Sequence, residues 1–159
     1  MDTKVTTDMH IEAPVEKVYA FVADMENWNQ LKKSGMRGTI QTVEKTPDGV
    51  GTTYRAFGHL VGGLWYEITG RLTEAVPNER VVQTTDGRVM KTLLSGATAL
   101  SMRPEGSGTH LTVEYSPPTI EKIPVLGSIL GGLIEKEMVR AGEPMWAELR
   151  ELLEGTEAA

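Results

Sequence analysis

Two hydrophobic periods follow each other within the first thirty residues. An extended segment ends at Pro14, whose fixed φ and missing amide proton end a strand and suit the first turn of a helix. Beyond it, Val15, Val18, Tyr19 and Val22 recur at three- and four-residue intervals, which is typical of the apolar side of a helix. The pattern therefore predicts a strand followed directly by a short helix.

A second short helix is predicted next, because Asp24 and Asn27 are capping residues on either side of its start and Trp28 follows them. Polar and apolar residues then alternate, as in antiparallel strands with one buried face. The predicted strands cover residues 38–44, 50–60, 64–75, 80–85, 90–103 and 109–115. Asp86-Gly87 is a strong hairpin signal and predicts the turn between the fourth and fifth of these strands.

The C-terminal part has apolar residues at helical spacing from Leu126 to Leu152. A continuous helix over residues 126–153 would be on the order of 40 Å long, enough to cross a small sheet. Pro144 lies inside this range, and it either kinks the helix or breaks it near Arg140.

The order of these elements predicts an α+β fold. A curved antiparallel sheet of about seven strands would surround a long C-terminal helix, with two short helices after the first strand. The chain has 159 residues, so we expect a single domain over residues 1–159. A sheet wrapped around one helix leaves a space between the two.

Several short segments, in this order, resemble the START-like or SRPBCC superfamily, whose fold is called Bet v 1-like or helix-grip. They are Ile11-Glu12-Ala13-Pro14, Val50-Gly51-Thr52, residues 72–81, residues 108–113 and the closing helix. Within this superfamily, the sequence pattern is most similar to that of the polyketide cyclase/dehydrase and lipid-transport group. The resemblance implies a deep apolar cavity between sheet and helix. It implies no single reaction, because this fold hosts carriers, cyclases, hydrolases and regulators.

The polyketide aromatase/cyclases of this superfamily give a sharper comparison. The resemblance implies a tyrosine several residues after Trp28, where this chain has Gly35, and an arginine after Trp65, where it has Leu72. A shift of one residue would bring in Arg71, which belongs to the polar face of its strand. Aromatase chemistry of that kind is therefore not expected, although the cavity is.

Charge and composition narrow the function further. The net charge of −6 argues against a nucleic-acid partner, and the absence of cysteine excludes thiol catalysis and zinc–thiolate sites. The longest apolar stretch, residues 123–134, is shorter than the roughly 20 residues of a membrane span, so stable membrane insertion is not expected. With no secretory signal in view, the expected location is the cytoplasm. We expect no metal and no cofactor, and the oligomeric state is left open.

The candidates for chemistry are Tyr54, Tyr66 and His59. Tyr66 shares the parity of Ile68 and Leu72 along its strand and is expected to face inward, and Tyr54 shares the parity of Thr52 and Ala56. In a cavity, either hydroxyl could orient a ligand carbonyl or act as a weak acid. Core packing is the competing interpretation. His59 could rim a cavity mouth, but a surface loop is the preferred interpretation.

The remaining histidines, His10 and His110, alternate against apolar neighbours, and we expect both to be solvated surface residues.

The predicted ligand-binding set is rich in methionine, whose flexible thioether adapts to irregular apolar shapes. Ordinary core filling explains each methionine equally well. The set comprises Trp28, Met36, Tyr54, Tyr66, Met90, Met102, Leu133, Met138 and Met145.

Three hypotheses follow for the function. The favoured one is the binding of a small hydrophobic ligand, such as a polyketide, a lipid or an isoprenoid-like molecule. The alternative is a polyketide cyclase or dehydratase acting in the same cavity, which would need at least two polar groups converging on one spot. The third is an interaction module with a collapsed cavity.

Overall fold

The computed structural model describes residues 5–31, 36–60, 63, 65–89, 92–116, 119–120 and 143–155. Its strands are β1 (Val5–Ile11), β2 (Met36–Glu44), β3 (Thr53–Leu60), β4 (Trp65–Val76), β5 (Arg80–Val89), β6 (Thr92–Glu105), β7 (Gly108–Tyr115) and β8 (Thr119–Ile120). The helix α1 (Val15–Val22) and a 3-10 helix (Met25–Gln30) lie between β1 and β2. Residues 143–155 are helical.

The strands form one antiparallel sheet in the order β1-β7-β6-β5-β4-β3-β2, and β8 pairs with β6. Register shifts between Thr42 and Glu44 and between Leu72 and Glu74 mark bulges, which bend a sheet. The long strands and the C-terminal helix confirm the predicted α+β, helix-grip architecture. The predicted continuity of the helix before residue 143 concerns residues outside the described part.

The hairpin predicted at Asp86-Gly87 is wrong, because β5 runs through it to Val89. Asp86 pairs with Thr69 on one side and with Ser95 on the other. A Cβ atom at position 87 would collide with the carbonyl oxygen of Glu67 on the neighbouring strand. The glycine is therefore explained by a close approach of two backbones rather than by a turn.

The main core lies where α1 and the C-terminal helical residues meet the sheet. Val18 of α1 and Leu149 of residues 143–155 are fully buried in one cluster with Leu100 and Val113 of the sheet. A second, smaller cluster contains Ala56 and Tyr66, with Ile40 and Ile68 packed against it. The main cluster also includes Tyr54 of β3 and Leu72 of β4, and Ile40 of β2 packs against both clusters.

The 3-10 helix begins with the predicted cap, since the Asp24 side chain accepts from the Glu26 amide at 3.1 Å. Asn27 instead donates to the carbonyl of Phe21 near the end of α1, at 3.2 Å. The Trp28 ring meets Trp146 of the C-terminal helical residues edge to face, with ring centroids 5.5 Å apart. This contact joins the two helical parts of the molecule.

Asn29 protects the edge of the sheet at β2. Its side-chain amide donates to the Ile40 carbonyl at 2.9 Å and its oxygen accepts from the Ile40 amide at 2.8 Å. A side chain thus supplies the hydrogen bonds that a neighbouring strand would otherwise make.

We expect Asn29→Ala to lower the free energy of unfolding by about 1–3 kcal/mol, because it leaves two half-buried backbone groups of Ile40 unpaired. Urea unfolding followed by circular dichroism measures the change. Gln30→Ala is the matched control, since its exposed amide bonds only weakly to Asn27, at 3.4 Å. Equal destabilisation by the two variants would contradict this account of Asn29.

Candidate functional site

The inner face of the sheet is the face that packs against α1 and residues 143–155. Leu72 of β4 and Val81 of β5 belong to this face, because both lie in the main core cluster. Side chains alternate along a strand, so Gly70, Ile68 and Tyr66 of β4 lie on the same face. The candidate site is the part of the inner face that β2 to β6 form beyond this cluster.

Tyr54 is one of the two buried phenols of this face, with 4% of its surface exposed. Its ring covers Gly70 of the next strand, where a Cβ atom would collide with the ring. The hydroxyl donates to Oε1 of Gln83 on β5. Burial raises the pKa of Tyr54 above its ordinary value, so the phenol remains protonated at neutral pH.

Tyr66 is the second phenol and is also 4% exposed. Its hydroxyl lies over Gly38 of β2, at the place that a Cβ atom would take. No hydrogen bond among the described residues involves this hydroxyl. Burial raises the pKa of Tyr66 as well.

Short side chains occupy the middle of the inner face. Gly70, Thr85 and Gly96 lie side by side on three strands, and Ile68 faces Gly87 in the adjacent row. Thr85, Gly87 and Gly96 are only half-buried. The described positions between the two tyrosines therefore carry short side chains, and the Tyr54 ring covers Gly70.

The described inner-facing positions of β2 to β7 carry no charged residue. Their polar groups are the tyrosine hydroxyls, threonine hydroxyls such as that of Thr98, and the Gln83 amide. Neutral donors and acceptors in apolar surroundings orient a ligand by hydrogen bonding. Within this described part, no carboxylate or imidazole is placed to take a proton at neutral pH.

The predicted inward orientation of Tyr66 is confirmed by its burial, and Tyr54 is buried as well. Tyr54 and Met102 lie in the main core cluster, with Trp28 and Met145 packed against it, whereas Tyr66 belongs to the smaller cluster. Their role in binding stays a prediction. The side chain of Met36, and Met90, Leu133 and Met138, lie outside the described residues.

His59 is exposed and lies within β3 rather than in a loop. It pairs with Trp65, and strand alternation places it on the face opposite to Tyr54 and Ala56. The structure therefore does not bring His59 together with either tyrosine.

Sequence reasoning missed Gln83 and the glycines beneath the tyrosines. Gln83 shares the parity of Val81, so the alternation along this strand could have predicted a polar side chain on the inner face. Gly38 and Gly70 became informative only with the register, which places each under an aromatic side chain of another strand.

The family of this protein is shown by its similarity to known proteins. The profile of the family described as polyketide cyclase / dehydrase and lipid transport matches residues 2–154. The chain therefore belongs to this family. A search of curated proteins gives no match.

Solved structures share the fold at low sequence identity. A START superfamily protein from Mycobacterium smegmatis is 17% identical with a TM-score of 0.67, over 94% of this chain and 98% of that one. A conserved protein from Geobacillus kaustophilus is 14% identical with a TM-score of 0.71, over 95% of each chain. The di-domain ARO/CYC StfQ from the steffimycin biosynthetic pathway is 12% identical with a TM-score of 0.73, over 98% of this chain and 52% of StfQ.

Two further properties of the described residues bear on the predicted partners. No helix there has the length and apolar character needed to cross a membrane. No group of three or more metal-ligating side chains in the same residues has the geometry to hold a metal ion.

We expect Gly70→Ala to lower the free energy of unfolding by about 1–3 kcal/mol, because the added methyl group displaces the Tyr54 ring from its place over β4. Gly96→Ala is the control on the same face, since its nearest neighbours would be at an ordinary 3.5 Å. Urea unfolding of both variants measures the difference. If Gly70→Ala were as stable as Gly96→Ala, the described packing of Tyr54 on Gly70 would be wrong.

Proposed function

We propose that this protein binds a small, neutral and largely apolar molecule on the inner face of β2 to β6. The ligand would be of polyketide, lipid or isoprenoid type and would carry at least one oxygen that accepts a hydrogen bond. The observation that carries the proposal is the Tyr66 hydroxyl, which lies on a buried side chain and has no partner among the described residues. A ligand oxygen would satisfy that donor.

The neutral character of the ligand follows from the same face. Burying a charged group without a partner costs several kcal/mol, so a charged head group requires a counter-charge nearby. The described inner-facing strand positions offer none. Tyr66, Tyr54 and Gln83 offer hydrogen bonds, which suit a carbonyl, hydroxyl or ether oxygen.

The family supports this class of ligand in general terms, because its description joins polyketide chemistry with lipid transport. The similarity to StfQ, an ARO/CYC protein, keeps a cyclase or dehydratase activity as the second candidate. The observation that favours it is the contact between the Tyr54 hydroxyl and Gln83, two polar groups meeting on the inner face. A phenol whose pKa is raised is a weak acid, which favours binding over proton transfer.

A matched pair of probe ligands tests the role of Tyr66. Anthraquinone carries two carbonyl oxygens, whereas anthracene has the same ring system without them. We expect Tyr66→Phe to weaken anthraquinone binding about tenfold, which corresponds to one hydrogen bond of about 1.4 kcal/mol, and to leave anthracene binding unchanged. Quenching of tryptophan fluorescence measures both dissociation constants.

Tyr19→Phe is the control variant, because it removes a hydroxyl from α1 beside the main core cluster. It should leave both probes unaffected. An equal loss for anthracene and anthraquinone in Tyr66→Phe would contradict a hydrogen bond at that hydroxyl, and failure of both probes to bind the wild-type protein would contradict the proposed site.

Native mass spectrometry of the protein purified from its own cells distinguishes the two candidate functions. Binding predicts a neutral apolar molecule that is released unchanged by organic solvent. If the released molecule were instead the product of an added precursor, and Gln83→Leu stopped its formation, the enzyme hypothesis would replace the binding hypothesis.

A further inference from the structure

A row of alternating acidic and histidine side chains crosses β1, β7 and the end of β6. We call Glu12, His10, Glu105, His110 and Asp8 the acid–imidazole chain. His10 contacts Glu12 through Nε2 and Glu105 Oε1 through Nδ1, the latter at 3.0 Å. His110 Nδ1 lies 2.9 Å from Glu105 Oε2, and His110 Nε2 lies 2.9 Å from Asp8 Oδ1. The two histidines are thus half-buried partners in a network, although the sequence predicts solvated surface residues.

The strand register creates this arrangement. His10 of β1 pairs directly with His110 of β7, and His110 pairs with Arg103 of β6. Two cationic side chains in such close positions repel each other unless an anion lies between them. Glu105 is that anion, since each of its carboxylate oxygens faces one ring. Gly108 leaves room for the His10 ring, 2.9 Å from where a Cβ atom would lie.

The geometry around His10 favours a protonated ring. An ionised carboxylate only accepts hydrogen bonds, and a neutral imidazole donates from one nitrogen only. The His10 ring faces carboxylate oxygens with both nitrogens, so both of its contacts are favourable only when that ring is charged. The hydrogen bonds that His10 donates, first to Glu12 and then to Glu105, raise the pKa of His10. The pKa of Glu12 is lowered by His10 and then by Ser107, and the pKa of Asp8 by Thr112 and then by His110.

The Glu12 end of the acid–imidazole chain contacts the C-terminal helical residues. The Glu12 carboxylate accepts from Ser107 Oγ at 2.9 Å in addition to contacting His10. The backbone amide of Glu12 donates to Glu154 Oε1 at 2.8 Å. Arg150 Nε also donates to that oxygen, at 3.2 Å. Glu12 therefore adds a polar contact that ties this end of the helix, next to the buried Leu153, to the sheet.

We propose that the acid–imidazole chain is a proton-dependent latch that holds the end of the C-terminal helix against the sheet. With His10 protonated, the ring bridges Glu12 and Glu105, and the Glu12 amide holds Glu154. When His10 loses its proton, one of its two nitrogens no longer donates, the bridge between the two carboxylates is lost and the hold on Glu12 weakens. This inference goes beyond the proposed ligand binding, because no latch residue lies on the inner face.

The pH range follows from the directions of the pKa shifts. The pKa of His10 is raised in the folded protein, so its contribution is complete below about 6.5 and is lost as the pH rises through the raised folded value. The pKa values of Asp8, Glu12, Glu105 and Glu154 are lowered, so their contribution is complete above about 4.5 and is lost as the pH falls through those values.

Two arginines lie near the acid–imidazole chain. Arg103 is 3.7 Å from Glu105, and Arg150 contacts Glu154. Guanidinium groups stay charged throughout this pH range. The latch is therefore closed in mildly acidic solution and opens as the pH rises through the raised pKa of His10.

Hydrogen–deuterium exchange of peptides covering residues 143–155 tests the latch, with rates corrected for the intrinsic effect of pH. We expect protection in the wild-type protein to fall about two- to fivefold between pH 5.5 and pH 8.5, the range that one or two partly exposed ion pairs produce. His10→Gln should give the low protection at both pH values. His59→Gln, the same substitution at an exposed histidine outside the chain, should behave like the wild type.

A second variant, Glu154→Ala, removes the contact on the helix without changing either histidine. It should also lower protection at pH 5.5 and abolish the pH dependence, so the test holds even if His10→Gln does not fold. The proposal is overturned if wild-type protection is the same at both pH values. It is equally overturned if Glu154→Ala keeps the wild-type pH dependence or if His59→Gln loses it.

Discussion

Leu149 and Leu153 of the C-terminal helix pack with Val18 of α1 against Leu100 and Val113 of the sheet, and the rest of the inner face depends on this contact. Burial of such side chains contributes about 1.5–3 kcal/mol each, so the two helical parts are held at the β1-β7-β6 end. Trp28 and Trp146 add an aromatic contact between them. These contacts anchor α1 and residues 143–155 to β6 and β7.

The described β2-to-β5 part of the inner face combines aromatic, small and neutral polar residues. Glycines lie beneath Tyr54 and Tyr66, and half-buried Thr85 and Gln83 add neutral polar groups. The side chains that anchor α1 and residues 143–155 include Leu100 of β6 and Val113 of β7. The residues around the tyrosines can therefore differ between proteins of one fold without a change in that packing.

Strand alternation and the Pro14 boundary were sufficient to predict the sheet, the short helices and the inward orientation of Tyr66. Alternation does not specify which residues of different strands lie side by side. Asp86-Gly87 was therefore predicted to be a turn. The glycine is needed there because the backbone of Glu67 on the neighbouring strand lies too close for a Cβ atom. The pairing of His10 with His110 depends on register in the same way, and no local sequence pattern predicts it.

The central claim is that the Tyr66 hydroxyl binds the ligand on the inner face. A crystal structure of the protein with its co-purified ligand, or with anthraquinone, tests this most directly. The account predicts density between β2 and β6, with a ligand oxygen within about 3.5 Å of the Tyr66 hydroxyl. A ligand bound on the outer face, or an inner face filled by side chains with the hydroxyl bonded to the protein itself, would contradict it.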